Sequence, residues 1–208
     1  MNNVRIRLAL AVPAAIWGLL VTSAAAAANV AKLTETCASC HGKDGASTET
    51  DMPIIAGVSA EYLSESLKAF QNKERPCPET NYRSGEKKGE KTDMCRNAKA
   101  LSEADADELA KYYASKKFVR AAQKFDATLA AKGKKLHEDY CDKCHTQNGS
   151  FPGDDAGILA GQWMGYLEQA FDEYRSGERV GTRKMQSTVK KLEKEDIEAL
   201  IQFYGSFK

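Results

Sequence analysis

The order Cys-x-x-Cys-His occurs twice in this chain, as Cys37-Ala38-Ser39-Cys40-His41 and as Cys141-Asp142-Lys143-Cys144-His145, 104 residues apart. The pattern is the attachment signature of c-type haem. Two thiols three residues apart on a helical turn reach the two vinyl groups of one porphyrin and form thioethers, while the neighbouring imidazole ligates the iron. Two covalent haem c groups are therefore expected, bound through Cys37 and Cys40 and through Cys141 and Cys144, with His41 and His145 as axial ligands. Paired Cys-x-x-Cys units with histidine also read as zinc ligands. An export signal and an internal repeat weigh against zinc.

Met1 to Arg7 hold two arginines and no acid, an apolar run follows from Leu8 to Val21, and Ser23 to Ala28 are small. This is the layout of a cleaved secretory signal over residues 1–28, with an apolar part too short for a comfortable membrane span. Because c-type haem is attached after export, signal and motifs support each other and point to a bacterial periplasm, with no stable membrane span after cleavage. Losing Arg5 and Arg7 turns 30 basic and 29 acidic residues into 28 and 29. Such a neutral chain lacks the basic excess of nucleic-acid binders, so no nucleic-acid partner is expected. The roughly 180 residues left suit two small domains. Each is below the size at which an apolar core alone is comfortable, a deficit that a buried porphyrin would fill.

The second half can be laid on the first. At an offset of 104 both motifs coincide, Ile54-Ile55-Ala56-Gly57 meets Ile158-Leu159-Ala160-Gly161, and Tyr62-Leu63 meets Tyr166-Leu167. Further along the offset is 91, where Leu101, Asp105, Leu109, Tyr113 and Ser115 meet Leu192, Asp196, Leu200, Tyr204 and Ser206. The first half thus carries 13 extra residues between Arg75 and Met94. Apolar residues recur at helical spacing and strand signals are weak. The expected fold is all-α: two tandem domains, 29–117 and 127–208, joined by a linker over 118–126. Each unit has one helix leading into its motif, one near Glu61 to Gln71 or Gly165 to Ser176, and one near Ser102 to Ser115 or Glu193 to Phe207. Ser102 looks like a helix cap, with Asp105 near the positive end of the dipole.

An iron that only passes electrons takes a sixth ligand, and thioether sulfur is favoured because it raises the potential. Met94 and Met185 coincide at the offset of 91, whereas Met52 and Met164 fall opposite Ala156 and Ala60. Met94 is expected to ligate the first haem and Met185 the second, against the plain alternative of core filler. Pro53, or Gly157 in the second unit, is placed for its carbonyl to accept the other imidazole N–H.

Cys77 and Cys95 remain, flanking the insertion. In an oxidising compartment a disulfide is expected. It would clamp the loop carrying Met94 and stabilise the fold by about 3 kcal/mol in the chain-entropy model. A thiolate on the first haem, marking a catalytic centre, and a copper or redox-sensing thiol pair stay open. His137, in place of Leu33, reads as a partly exposed surface histidine. Arg175, Arg179, Arg183, Lys184, Lys190 and Lys191 read either as neutralising haem propionates or steering an acidic partner, or as a solvated face. Tyr62, Phe70, Trp163 and Tyr166 read as walls of the haem sites.

With these residues in place, the chain resembles two fused class I cytochrome c units, as in cytochrome c4 and in the dihaem subunit of flavocytochrome c sulfide dehydrogenase. Met52-Pro53-Ile54-Ile55-Ala56-Gly57 is more like the former. Lys135-Leu136-His137-Glu138-Asp139-Tyr140-Cys141 and Ile158-Leu159-Ala160-Gly161-Gln162-Trp163 are more like the latter. The resemblance implies an electron-transfer protein, not an enzyme, that takes electrons from a flavoprotein sulfide dehydrogenase partner and passes them to a downstream cytochrome or oxidase. No flavin belongs to this chain, which lacks a G-x-G-x-x-G fingerprint after a strand. A free carrier of the cytochrome c4 type is the alternative, and a thiosulfate-oxidising haem enzyme a more distant one.

Overall fold

The computed structural model describes residues 30–208, so the expected signal segment lies outside the described residues. The first unit is built from α1 (30–41), a 3-10 turn Lys43–Gly45, α2 (Ala60–Gln71), α3 (Met94–Lys99) and α4 (Glu103–Ala114). The second is built from α5 (Ala127–Tyr140), the short turn α6 (Thr146–Gly149), a 3-10 turn Pro152–Asp154, α7 (Met164–Ser176), α8 (Arg183–Val189) and α9 (Lys194–Gly205). The three expected helices per unit are present, and α3 and α8 are additional to them. The weak strand signal conceals one small hairpin inside the insertion. Its strands β1 (Thr80–Asn81) and β2 (Lys91–Thr92) pair antiparallel, Thr80 opposite Thr92.

Side-chain caps define the helix starts. Ser59 accepts from the Tyr62 N–H, and Ser102 and Asp105 cap each other's backbone at α4 as expected. Asp126 accepts from the Thr128 and Leu129 N–H groups at α5. Such caps satisfy donors that the first helical turn leaves open.

The duplication is visible in the backbone. The Gly45 carbonyl accepts from the N–H groups of Ile55 and Ala56 at 2.9 and 3.2 Å, and the Gly149 carbonyl accepts from Leu159 and Ala160 at 2.8 and 3.2 Å. Gly57 donates to the Tyr113 carbonyl and Gly161 to the Tyr204 carbonyl, both at 2.8 Å. Both glycines have positive φ, 69° and 82°, a region that L side chains rarely adopt.

In the second unit, α5 crosses α9 at Gly133, where an added Cβ would run into the Ala199 carbonyl. Leu167, Phe171, Val189, Leu200, Ile201 and Tyr204 form that unit's core. Val58, Leu63, Leu109, Ala110 and Tyr113 form the core of the first, with Leu33 and Cys37 of α1 packed against them. Ile158 of the second unit is buried in this first cluster, so the units share apolar contact.

Candidate haem sites and the seam between them

The first motif is the last turn of α1, and the second follows α5, whose C-cap is Cys141. The His145 N–H donates to the Cys141 carbonyl at 3.0 Å, which keeps the second motif in a helix-like turn. None of the four motif cysteines is in a disulfide. The first cysteine of each motif lies beside an equivalent tyrosine hydroxyl, Cys37 beside Tyr113 and Cys141 beside Tyr204, and burial pushes both thiols up. Burial also lowers the pKa of His41 and of His145, which holds both imidazoles neutral, the form that can ligate a metal.

The Pro53 carbonyl accepts from His41 Nδ1 at 3.0 Å, as expected, which fixes the ring and leaves Nε2 without a hydrogen bond among the described residues. In the second unit Gly157 acts in the same direction on His145, raising its pKa against burial, yet His145 Nδ1 is buried with no hydrogen-bond partner. Met94 opens α3 and Met185 lies in the first turn of α8, both partly buried, with Met185 against the second core. Cys77 and Cys95 are joined in a disulfide, their Cα atoms 5.8 Å apart, which places the clamp one residue from Met94.

One expectation is overturned and one alternative is closed. His137 is not a surface residue. It is 0 % exposed, with Nε2 3.3 Å from Asp142 Oδ1 and Nδ1 2.9 Å from the Tyr204 hydroxyl. A carboxylate oxygen only accepts, so Nε2 carries the hydrogen and Nδ1 accepts from the tyrosine O–H. Tyr113, the counterpart of Tyr204, has no histidine to bond, because Leu33 stands at the matching place and packs into the same core. For Arg179, one of the two open readings falls away. It is 3 % exposed and no part of a solvated face.

Arg179 lies in the seam between the units. Its Nη2 donates to the Tyr62 hydroxyl at 3.0 Å, its Nη1 is 3.9 Å from Glu173, and its guanidinium stacks 4.4 Å from the Tyr174 ring. Arg75, its counterpart at the offset of 104, lies 4.2 Å over Phe70 with a buried, unpartnered Nε. Burial alone would raise the Tyr166 pKa, but Arg179 and Arg75 outweigh it and lower it. Sequence reading singled out Arg179 but not Arg75, although the matched arginines were a usable signal. A buried surplus of positive charge with an orphaned donor fits a carboxylate-bearing group.

Trp163 and Tyr62, expected as haem walls, bridge the units: the indole N–H donates to the Ser47 carbonyl at 2.8 Å, and Tyr62 receives Arg179. Gln162 is 2 % exposed and grips Ile54, accepting from its N–H at 2.8 Å and donating to its carbonyl at 3.0 Å.

Motif cysteines outside any disulfide, buried histidines and a cationic seam define a two-site c-type cytochrome. The family model described as cytochrome c matches residues 27–116, and that described as cytochrome C oxidase, cbb3-type, subunit III matches 128–203. Cytochrome c4 of Stutzerimonas stutzeri is 31 % identical over 98 % of both chains. The crystal structure of reduced recombinant cytochrome c4 from Pseudomonas stutzeri superposes with a TM-score of 0.69 at 28 % identity, covering 88 % of this chain and 98 % of that one. A protein named thiosulfate dehydrogenase electron acceptor, from Thiomonas intermedia, is 27 % identical over 70 % of this chain and 65 % of its own length. The chain belongs to the cytochrome c4 family. It is an electron-transfer protein of two cytochrome c domains with two covalently attached haem c groups. Among the described residues no helix is long and apolar enough to cross a membrane.

Proposed function

We propose that the protein is a periplasmic carrier of the cytochrome c4 type, divided as 29–117, 118–126 and 127–208. In this reading Cys37 and Cys40 hold one haem and Cys141 and Cys144 the other, with His41 and Met94 and then His145 and Met185 as axial pairs. The observation that carries it is the His41 arrangement: a neutral, buried ring oriented by the Pro53 carbonyl, with Nε2 left open. Each haem, when bound, supplies a one-electron ferric/ferrous couple. The protein's own groups hold it and set its surroundings. The core tyrosines pack beside the thioether positions, and Arg75 and Arg179 neutralise carboxylates drawn into the seam.

The donor is a sulfur-compound dehydrogenase and the acceptor a downstream cytochrome or oxidase, a reading supported by the relative named as a thiosulfate dehydrogenase electron acceptor. The motif-flanking strings of the second unit favour a flavoprotein sulfide dehydrogenase as that donor. Isolation from the native host separates the two forms of this reading: a tightly bound flavoprotein travels with the protein, whereas a free carrier elutes alone. The haem assignment is tested by mass and optical spectra of the exported protein. Two haem additions are expected, and Met94→Ala and Met185→Ala should each remove half of the weak far-red band of methionine-to-ferric-haem ligation. A variant that leaves the band intact rejects that ligand.

A further inference from the structure

In both motifs the second cysteine lies closer to solvent than the first, so it marks the edge at which electrons can enter or leave. The two edges differ. In the first unit the inserted hairpin lies across it. The Asn81 carbonyl is 3.9 Å from Cys40 Sγ, and the Arg83 and Ser84 N–H groups donate to the Ser39 carbonyl at 3.0 and 3.1 Å. Arg83 is anchored in turn on Asp51 at 2.6 Å and Glu49 at 3.3 Å. The Cys77–Cys95 disulfide closes the base of the segment, and the Tyr82 hydroxyl ties it to Asn97 at 2.7 Å. The second unit lacks the insertion, and Cys144 is exposed.

We propose that outside redox partners exchange electrons with this protein over the Cys144 edge, and that the clamped hairpin closes the matching edge of the first unit. The proposal rests on the haem assignment above. In each encounter the reduced partner gives up one electron and is oxidised, the second unit is reduced, and no bond or proton is exchanged. The first unit then fills across the seam from the second.

The chemistry of the edge selects the partner. Tyr140 is 50 % exposed and Phe151 43 %, apolar surface next to the motif in sequence. Near it in sequence Glu138, Asp139, Asp142 and Asp155 are exposed, against Lys134, Lys135 and Lys143. Lys134 approaches Glu138 at 3.8 Å and His137 holds Asp142 at 3.3 Å, and neither contact reverses the acidic balance. The complementary partner is an electron-transfer protein with a basic rim around an apolar centre. The hairpin surface is mixed, with Glu79, Glu86 and Glu90 among Arg83, Lys87, Lys88 and Lys91.

Stopped-flow oxidation of a reduced, lysine-rich mitochondrial cytochrome c by the full holoprotein tests this. Asp139→Lys should slow the reaction about tenfold at low ionic strength and Lys143→Glu should accelerate it, both effects collapsing in high salt. Glu86→Lys and Lys88→Glu on the hairpin should change the rate less than about twofold. Hairpin variants that match or exceed the Cys144-edge variants, or edge variants without effect, overturn the proposal. Mass spectra of every variant keep the two readings apart. Two haem additions with the wrong charge pattern reject the docking edge alone, whereas missing haem rejects the underlying assignment with it.

Discussion

The Gln162 carboxamide bonds both backbone polar groups of Ile54, accepting from its N–H at 2.8 Å and donating to its carbonyl at 3.0 Å, so one side chain of the second unit completes the backbone of the first. Both partners are buried. Gln162→Leu leaves two buried polar groups unpaired and should destabilise the protein by about 2–3 kcal/mol. Gln162→Glu should recover little, because it keeps an acceptor for the N–H but loses the donor and brings a charge into the seam. Denaturant titration followed by haem absorbance measures both.

His137, which stands where the first unit has Leu33, adds a pH dependence to the second unit beyond that of the motif histidines. Burial, opposed by Asp142, lowers its pKa below the ordinary histidine value, so the folded state binds a proton less readily than the unfolded chain. This contribution to stability is complete above about pH 6.5 and falls away as the pH drops through the unfolded value towards the folded one. His137→Leu should cost about 1 kcal/mol at alkaline pH, from the orphaned Tyr204 hydroxyl. It should also flatten the acid limb of a stability-against-pH profile. An unchanged limb would show that other groups dominate it.

The disulfide closes a loop with a sequence separation of 18 and lies next to Met94. Replacing Cys77 and Cys95 together by serine should lower stability by about 3 kcal/mol in the chain-entropy model. If Met94 is the first-unit ligand, the same variant should weaken the far-red band of that unit and leave the second unit's share unchanged. The unfolding midpoint and the band intensity report the two effects separately.

Gly133 sets the spacing of α5 and α9. Because a methyl group there meets the Ala199 backbone rather than a movable side-chain tip, Gly133→Ala should force the helices apart and cost about 3 kcal/mol, the upper end of overpacking penalties. Thermal unfolding should show the second unit melting first.

Much of this architecture was legible in the sequence because its signals are local or repeated. The motifs, the two offsets, the Ser102 cap and the Pro53 carbonyl each depend on residues close in sequence or matched between halves. His137 was misread because the groups that accept it become neighbours only when the motif turn and α9 fold against α5: Asp142 lies one turn on, and Tyr204 is 67 residues away. Arg179 was left between two readings for a related reason. Interspersed acids suggested a solvated face, but its hydroxyl partner Tyr62 lies 117 residues earlier in the other unit. The hairpin escaped because strands of two residues cannot show alternation.

The segment between α4 and α5 has no helix or strand from 117 to 126, yet it is stitched along its length. Ala121 N–H donates to Gly161, the Gln123 amide joins Gln162 and Met164, and Asp126 N–H donates to Gln202. All three pins lie on the second unit, so from Ala121 onward the strap rides with that unit rather than swinging as a loose tether. Fixing the two halves against each other falls instead to the seam, where Gln162 holds Ile54, Trp163 holds Ser47 and Arg179 holds Tyr62.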